Sequence, residues 1–295
     1  MGFDILLTGG NGFIGRNLRE GLAAAGHRVV APSRRELDLL DADAVDRYFD
    51  AHPVEIVVHA ATENATRRAR HPELVLDHNL RMFFNLARHA HRVRKLLHFG
   101  SGAEFDRAHW TPRMAEDSFG RYVPQDPYGL SKYLIALQGQ RASNVYNLRL
   151  FGCFGPWEDW RIRFISNACC KAIWGLPITM RQNVRFDYLW VGDLVAITRW
   201  FVENDAPVRD YNVCSGDVHD LRSLAAMVLE ARGRDLEIHV AAPGLGTEYS
   251  GDNSRLLTTV GGFRFTAIRE AVATLYRWYE GRRAEIPRDE LLVDP

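Results

Sequence analysis

A tyrosine and a lysine stand four residues apart in the run Tyr128-Gly129-Leu130-Ser131-Lys132. Of 37 basic residues in the chain, three are lysines: Lys95, Lys132 and Lys171. On a helix, positions i and i+4 share a face. An ammonium beside a phenol favours the phenolate and lowers a pKa that is ordinarily ~10. That would let the tyrosine exchange protons at neutral pH. Taken alone, the pair is equally a surface pair on an amphipathic helix. A second run with chemistry in it is Thr8-Gly9-Gly10-Asn11-Gly12-Phe13-Ile14-Gly15, with Gly9, Gly12 and Gly15 in a G-x-x-G-x-x-G spacing. Such a turn lets the backbone approach a pyrophosphate and offers it the free N–H groups of a helix start. Its place between an apolar strand and a helix distinguishes it from an ordinary glycine-rich turn.

The elements that must carry these groups alternate. Residues 3–7 read as a short buried strand, 16–25 as a helix, 29–31 as a second strand, and 44–51 as a helix. Residues 75–90 form a longer helix with apolar positions at helical spacing, and 128–140 form the helix bearing the tyrosine and lysine. This alternation predicts an α/β fold with a doubly wound parallel sheet. Later segments are less regular. Helices are expected at 162–174, 195–203, 221–231 and 267–280, a strand at 178–180, and a polar, loosely held tail at 282–295.

Composition fits a globular enzyme, with 46% hydrophobic and 25% charged residues. The formal net charge is zero, which gives no footprint for nucleic acid or an anionic membrane. No apolar run approaches the length of a membrane span, and the chain opens on a strand rather than a signal peptide. Cys153, Cys169, Cys170 and Cys214 lack metal-ligand spacing and read as reduced core thiols of a cytoplasmic protein, so no metal is expected. The scattered histidines read as satisfied or solvated rather than as ligands.

The two motifs, in this order and about 115 residues apart, resemble the extended short-chain dehydrogenase/reductases, the family of nucleotide-sugar epimerases, dehydratases and reductases. Val54-Glu55-Ile56-Val57-Val58-His59-Ala60-Ala61 is similar to that family's third strand. Lys95-Leu96-Leu97-His98-Phe99-Gly100-Ser101 is similar to its fourth strand and catalytic hydroxyl. Arg149-Leu150-Phe151-Gly152-Cys153-Phe154-Gly155-Pro156 looks like the loop entering the substrate region, and Phe186-Asp187-Tyr188-Leu189-Trp190-Val191-Gly192-Asp193 like the Asp-Phe-Leu-Tyr-Val-x-Asp signature. The resemblance covers nearly the whole chain. It implies a Rossmann-type domain over residues 1–155, to which roughly 184–215 returns, and a smaller interleaved substrate lobe over most of 156–295. It also implies catalysis by Ser101, Tyr128 and Lys132. Cofactor contacts are implied at Gly9, Gly12, Phe13, Ile14, Gly15, Ser33, Arg34, Asp38, Leu39, Ala60, Ala61, Thr62, Asn79 and Leu150, with Tyr128 and Lys132. Asn79 is expected to open a helix. Substrate contacts are implied at Ser101, Gly102, Ala103, Arg163 and Arg185, with Arg161 and Arg181 as further candidates. Trp157, Trp160 and Trp174 would stack on a base or fill the core, the core being favoured for Trp174. Helices 75–90 and 128–140 match those that pair across a homodimer in relatives.

In ketone reduction the carbonyl oxygen becomes an alkoxide that needs a proton and hydrogen bonds. Tyr128 would give the proton, Lys132 would lower the phenol pKa and hold the nicotinamide ribose, and Ser101 would bond the carbonyl oxygen. NAD enzymes usually carry an acidic residue after the second strand. Ser33-Arg34-Arg35 stands there, and a guanidinium suits a 2′-phosphate. NADP(H) is therefore favoured, while Glu36, one residue of shift away, leaves NAD(H) open. The stretch from Arg34 to Asp41 resembles GDP-L-fucose synthases and dTDP-4-dehydrorhamnose reductases. Fucose synthases also epimerise C3 and C5, using a cysteine and a histidine; those places are held by Ala103 and Arg163. Gly102-Ala103 replaces the Asp-Glu of dehydratases, and Glu104 is expected to point away from the site. The reading is an NADPH-dependent reductase of the C4 ketone of a nucleotide-activated deoxy sugar, without C3/C5 epimerisation. A C4 epimerase with tightly held NAD needs the same triad. A non-catalytic nucleotide sensor is disfavoured because tyrosine and lysine are both present.

Overall fold

The computed structural model describes residues 2–64, 66 and 71–292. In chain order the elements begin β1 (Asp4–Thr8), α1 (Phe13–Ala24), β2 (Arg28–Val30), α2 (Ala42–Ala51), β3 (Ile56–His59), α3 (Val75–Ala87), β4 (Lys95–Ser101), α4 (Pro127–Gly139), β5 (Val145–Leu150) and β6 (Gly152–Phe154). They continue α5 (Phe164–Trp174), β7 (Ile178–Asn183), β8 (Arg185–Trp190), α6 (Val191–Glu203), β9 (Asp210–Val213), β10 (Val218–Asp220), α7 (Leu221–Arg232), β11 (Ile238–Leu245), α8 (Ser254–Val260) and α9 (Ile268–Glu280).

β3, β4 and β5 are buried along their whole length and β1 nearly so, as parallel strands covered on both faces must be. They build a six-stranded sheet in the order β2-β1-β3-β4-β5-β9 with every pairing parallel. Side chains alternate between its faces. Ile5, Leu7 and Val58 pack with Leu18 and Leu22 of α1 and Leu194, Ile197 and Phe201 of α6. Leu6, Val57 and Leu96 pack with Val45 of α2, Phe83 and Leu86 of α3 and Ile135 of α4. Each such aliphatic burial contributes about 1.5–3 kcal/mol. From β1 the chain steps to β2 on one side and returns to β3 on the other. Strand order therefore reverses at β1, and ligands of such sheets sit in the crevice beyond the carboxyl ends at that reversal.

A second layer forms the lobe. α5, α7 and α9 pack around Cys169, Cys170, Leu224, Val228 and Leu275. β10, β8 and β6 make a three-stranded sheet, and β11 pairs with β7. The chain crosses between layers more than once. α6 and β9 lie on the main sheet, and so does Leu256 of α8, with Phe263 and Phe265 packed beside it.

Three expectations change. Asn79 lies in the second turn of α3 rather than at its start. The tail is held: Ile286 and Leu291 are buried in the lobe core and Ile286 O accepts from Trp174 Nε1 at 3.1 Å, while residues 293–295 lie outside the described residues. Cys153 is half-buried, unlike the three buried thiols Cys169, Cys170 and Cys214.

Candidate active site

α4 begins with Asp126 as its N-cap, whose carboxylate accepts from Gly129 N at 2.9 Å, and Pro127 occupies the first helical turn. Such a cap fixes where the helix starts. Tyr128 therefore stands at the helix mouth and Lys132 one turn inward. Lys132 is buried and donates to Phe99 O at 2.9 Å, and its ammonium lies 5.8 Å from the Tyr128 ring centre.

Ser101 ends β4 and caps the 3₁₀ turn that follows. Its Oγ accepts from Ala103 N at 3.1 Å, and its own N–H donates to Glu104 Oε1 at 2.9 Å. Glu104 is fully buried and takes Arg149 Nε at 2.7 Å and Asn147 Nδ2 at 3.0 Å. Arg149 continues to Asp210 at 2.8 Å and to Asn212 Oδ1 at 3.0 Å. Burial pushes the Glu104 carboxyl up, and the Arg149 charge opposes this. Glu104 thus points into the protein, tying the Ser101 turn to β5 and β9.

Between these groups and the glycine turn lies a cavity of ≈ 920 Å³, at the large end of ligand pockets. Gly12, Phe13, Ile14, Gly15, Ala60, Ala61, Thr62, Ser101, Ala103, Tyr128, Lys132, Leu150 and Arg163 all line it. Gly9 adopts φ +70°, and a Cβ there would lie 2.6 Å from Ala61 N; one on Gly15 would lie 2.1 Å from Gly9 O. Side chains at these places would force the turn apart. Gly12 caps α1 without a side-chain acceptor, so the first-turn N–H groups have no intrahelical partner. This cradle fits a dinucleotide pyrophosphate.

Other expected contacts lie outside the cavity wall. Ser33, Arg34 and Asp38 stand on the turn after β2; Arg34 is exposed with its Nε 3.7 Å from Asp38 Oδ1. Leu39 is buried in the core under α2 and α3. Asn79 is buried behind the wall: it accepts from Glu63 N at 2.8 Å and donates to Glu63 O and Ser131 Oγ, each at 3.1 Å. It therefore fastens the segment after β3 to α4. Gly102 is buried beneath the Ser101 turn. Arg185 is exposed and does not reach the cavity; its neighbours Phe186 and Tyr188 line it instead, because successive strand residues face opposite ways. Arg161 pairs with Glu290. Trp160 fills the lobe core and Trp174 packs against it, while Trp157 lies edge-on to Trp278 at 5.1 Å. None of the three lines the cavity.

The electrostatics also depart from expectation. Burial pushes the Tyr128 phenol above its ordinary value; a hydrogen bond with Ser101 and the charge of Arg163 oppose this without reversing it. Lys132, 5.8 Å from the ring centre, does not bring the phenol below its ordinary value. Burial lowers Lys132 itself to about 8, against the pull of Glu104. His59 lines the cavity and shares a 2.7 Å hydrogen bond with Thr8 Oγ1; burial first, then Lys132, lowers it to about 3. It is neutral at physiological pH.

Among the cavity residues that sequence reasoning missed are Glu158, Tyr188, Tyr249 and Cys153 in its cavity role. Glu158 is buried, accepts from Ser166 Oγ at 2.5 Å, and is raised by burial to about 7 against the opposing Arg163 charge. It lies two residues beyond Pro156, just past the loop expected to enter the substrate region, so a neighbouring signal existed. Tyr249 carried none; it stands alone in an irregular stretch.

Residues 5–214 match the NAD dependent epimerase/dehydratase family. GDP-6-deoxy-D-mannose reductase of Pseudomonas aeruginosa is 24% identical over 306 residues, covering 95% of this chain and 98% of that protein. GDP-L-colitose synthase of Yersinia pseudotuberculosis is 31% identical over 107 residues, 35% of each chain. Among solved structures, the NADP-bound GDP-mannoheptose C4 reductase of Campylobacter jejuni superposes with TM-score 0.83 at 19% identity, covering 95% of this chain and 98% of that one.

Proposed function

The chain belongs to the NAD dependent epimerase/dehydratase family, and on that footing we propose that it reduces the C4 ketone of a nucleotide-activated deoxy sugar with NADPH, without epimerising C3 or C5. The observation that carries this reading is the meeting of Ser101, Tyr128 and Lys132 with the Gly12–Gly15 cradle around one cavity. When bound, the nicotinamide supplies a hydride to the ketone carbon. Ser101 donates a hydrogen bond to the ketone oxygen as charge develops there. Tyr128 gives that oxygen its proton, leaving an alcohol. Lys132, fixed on Phe99 O, orients the cofactor ribose. The raised Tyr128 pKa suits an acid that must hold its proton until the alkoxide forms. The main-sheet layer holds the cofactor, the lobe closes over the sugar nucleotide, and the enzyme works as a cytoplasmic homodimer.

Similarity to GDP-sugar reductases supports the substrate class. The absence of epimerisation rests on Ala103, which has no ionisable group, and on Arg163, whose guanidinium has donors and no acceptor for a carbon-bound proton. His109 is hydrogen-bonded to Asp106 at 2.7 Å and stacked on Tyr122, and Glu104 is tied to Arg149. Glu158 is the cavity carboxyl that titrates near neutrality.

A panel of nucleotide-diphosphate 4-keto sugars, followed by NADPH absorbance in deuterated water, tests the reading. We expect net NADPH consumption and no deuterium at C3 or C5. Tyr128→Phe should lower turnover by about 10²–10⁴-fold and leave the cofactor bound. Interconversion of C4 epimers without net NADPH loss would replace this reading with an epimerase. Deuterium at C3 or C5 would place a proton shuttle in the cavity, with Glu158 the first residue to substitute.

A further inference from the structure

We propose that Glu158 selects the sugar: the carboxyl oxygen it presents to the cavity accepts a hydrogen bond from a ring hydroxyl of the substrate. The inference rests on the functional reading above and deepens it by naming the group the sugar must carry.

Glu158 is 6% exposed and still lines the cavity. The other acidic side chains on the described wall, Asp126 and Asp159, are engaged by basic neighbours. Asp126 takes Gly129 N on one oxygen and lies 3.4 Å from Arg107 Nε with the other. Asp159 takes Arg161 N at 3.1 Å and lies 3.5 Å from its guanidinium. Glu158 gives Oε2 to Ser166 Oγ at 2.5 Å, and among the described residues no donor reaches Oε1. Oε1 is nevertheless not sealed inside the protein, so the space it faces is the cavity. One oxygen is held and the other is presented. Such a carboxyl accepts a hydrogen bond whether or not it carries a proton.

The backbone before it is fixed from both layers. Trp157 adopts φ +71°, a left-handed conformation that is costly for a residue with a Cβ. Pro156 O accepts from Asn17 Nδ2 of α1 at 3.0 Å. The Trp157 ring lies 4.7 Å from the Arg16 guanidinium and 5.5 Å from that of Arg282. Glu158 N donates to Gly155 O at 3.3 Å, and Glu158 O accepts from the Tyr279 hydroxyl of α9 at 3.2 Å. Strain of this kind persists where the surroundings over-determine it, and it collects at ligand sites.

The neighbours decide what Oε1 can take. Arg163 lines the same cavity and its charge bears on Glu158. An ammonium on the sugar would be repelled by Arg163, and a sugar carboxylate by Glu158. A neutral hydroxyl meets neither obstacle and supplies the donor. With C1 bonded to the nucleotide, C4 oxidised and C5 in the ring ether, the ring hydroxyls are those on C2 and C3. A sugar lacking the right one would exclude water and leave Oε1 unpaired, and that penalty makes the selection.

The alternatives are that Glu158 only fastens the lobe through Ser166, or that it meets the cofactor. Calorimetric titration of the full chain, saturated with NADPH, separates them. Sugars already reduced at C4 are used, so no turnover intervenes. The probes are GDP-mannose or UDP-glucose, whichever binds more tightly, its 2-deoxy and 3-deoxy forms, and the nucleoside diphosphate alone. The native chain should bind one deoxy form about tenfold or more weaker than the parent sugar. Glu158→Leu should weaken the parent by a similar factor and leave that deoxy form, the nucleoside diphosphate and NADPH within about twofold. Glu158→Gln keeps an acceptor oxygen and should stay within about threefold of the native chain. Equal affinity of the native chain for the parent and both deoxy forms overturns the proposal, whether or not either variant folds. Unchanged parent affinity in Glu158→Leu overturns it too, as does an equal loss for the deoxy forms, the nucleoside diphosphate or NADPH. If neither nucleotide sugar binds the native chain, the functional reading fails and this proposal falls with it. If one binds and Glu158→Leu changes nothing, this proposal alone fails.

Discussion

Glu158 is a carboxyl that the cavity holds near the edge of its charge. Burial raises it to about 7 from an ordinary 4.5, against the Arg163 guanidinium and the Ser166 hydroxyl. Between those two values the folded chain keeps a proton that the unfolded chain has released. Stability must then fall as pH rises through the window, and the penalty is complete above about 7 and absent below about 4.5. Its full size is on the order of 3 kcal/mol. Glu158→Gln should flatten the decline in Tm between pH 5 and pH 8, measured by calorimetry against the native chain. A variant that declines as steeply as the native chain would show that the carboxyl is solvated after all. At this scale the sequence was legible where chemistry is local. Tyr128 and Lys132 share one turn of one helix, and Ser101 ends a strand. The pKa values were not legible, because burial decides them: the tyrosine is raised where its lysine suggested a fall. Tyr249 was hidden because its place on the cavity wall that Ser101 also lines exists only after the lobe folds back toward β4.

The elements that choose the cofactor were read from position, and the structure adds a reason. In the turn after β2, the Glu36 carboxylate accepts from Ser33 N at 2.7 Å. The acid that would bind ribose hydroxyls is thus engaged in closing its own turn, while Arg34 stands exposed beside it. NADPH should bind more tightly than NADH. Arg34→Ala should cut that preference by about tenfold or more, since a charge-assisted hydrogen bond contributes about 1.5–3 kcal/mol. Titration of cofactor fluorescence checks both statements, and equal affinities in the native protein would sink them. Element boundaries were readable wherever apolar runs and caps coincide, as at β4 and α4. Strand register was less so. Arg185 was expected at the substrate, but β8 turns Phe186 and Tyr188 to the cavity, and a one-residue shift in a strand sends a side chain to the other face.

At the scale of the whole molecule, βα alternation made the sheet legible, and the lobe helices expected at 162–174, 221–231 and 267–280 stand as α5, α7 and α9, whereas the lobe's strands β6, β8, β10 and β11 gave no period to read. Its crossings back to the main sheet through α6, β9 and α8 depend on packing that no local pattern announces. The same distinction governs assembly. α4 carries Leu134, Ile135 and Leu137, more apolar positions than one face needs. Ile135 is buried against the sheet, Leu134 is half-buried, and Leu137 is 39% exposed. On α3, Phe84 is 42% exposed, although Phe83 beside it is buried. α3 packs directly on α4, so both helices offer apolar side chains away from the sheet. A second copy meeting this pair through a two-fold axis would bury each such side chain twice, at about 1.5–3 kcal/mol apiece. We expect a homodimer by light scattering at micromolar concentration. Phe84→Asp with Leu137→Asp should shift it to monomer, because each carboxylate would have to be desolvated at the interface. Cofactor affinity should survive in that monomer, since neither residue lines the cavity. A native chain that is already monomeric would show that these side chains are ordinary exposed apolar residues and that each subunit works alone.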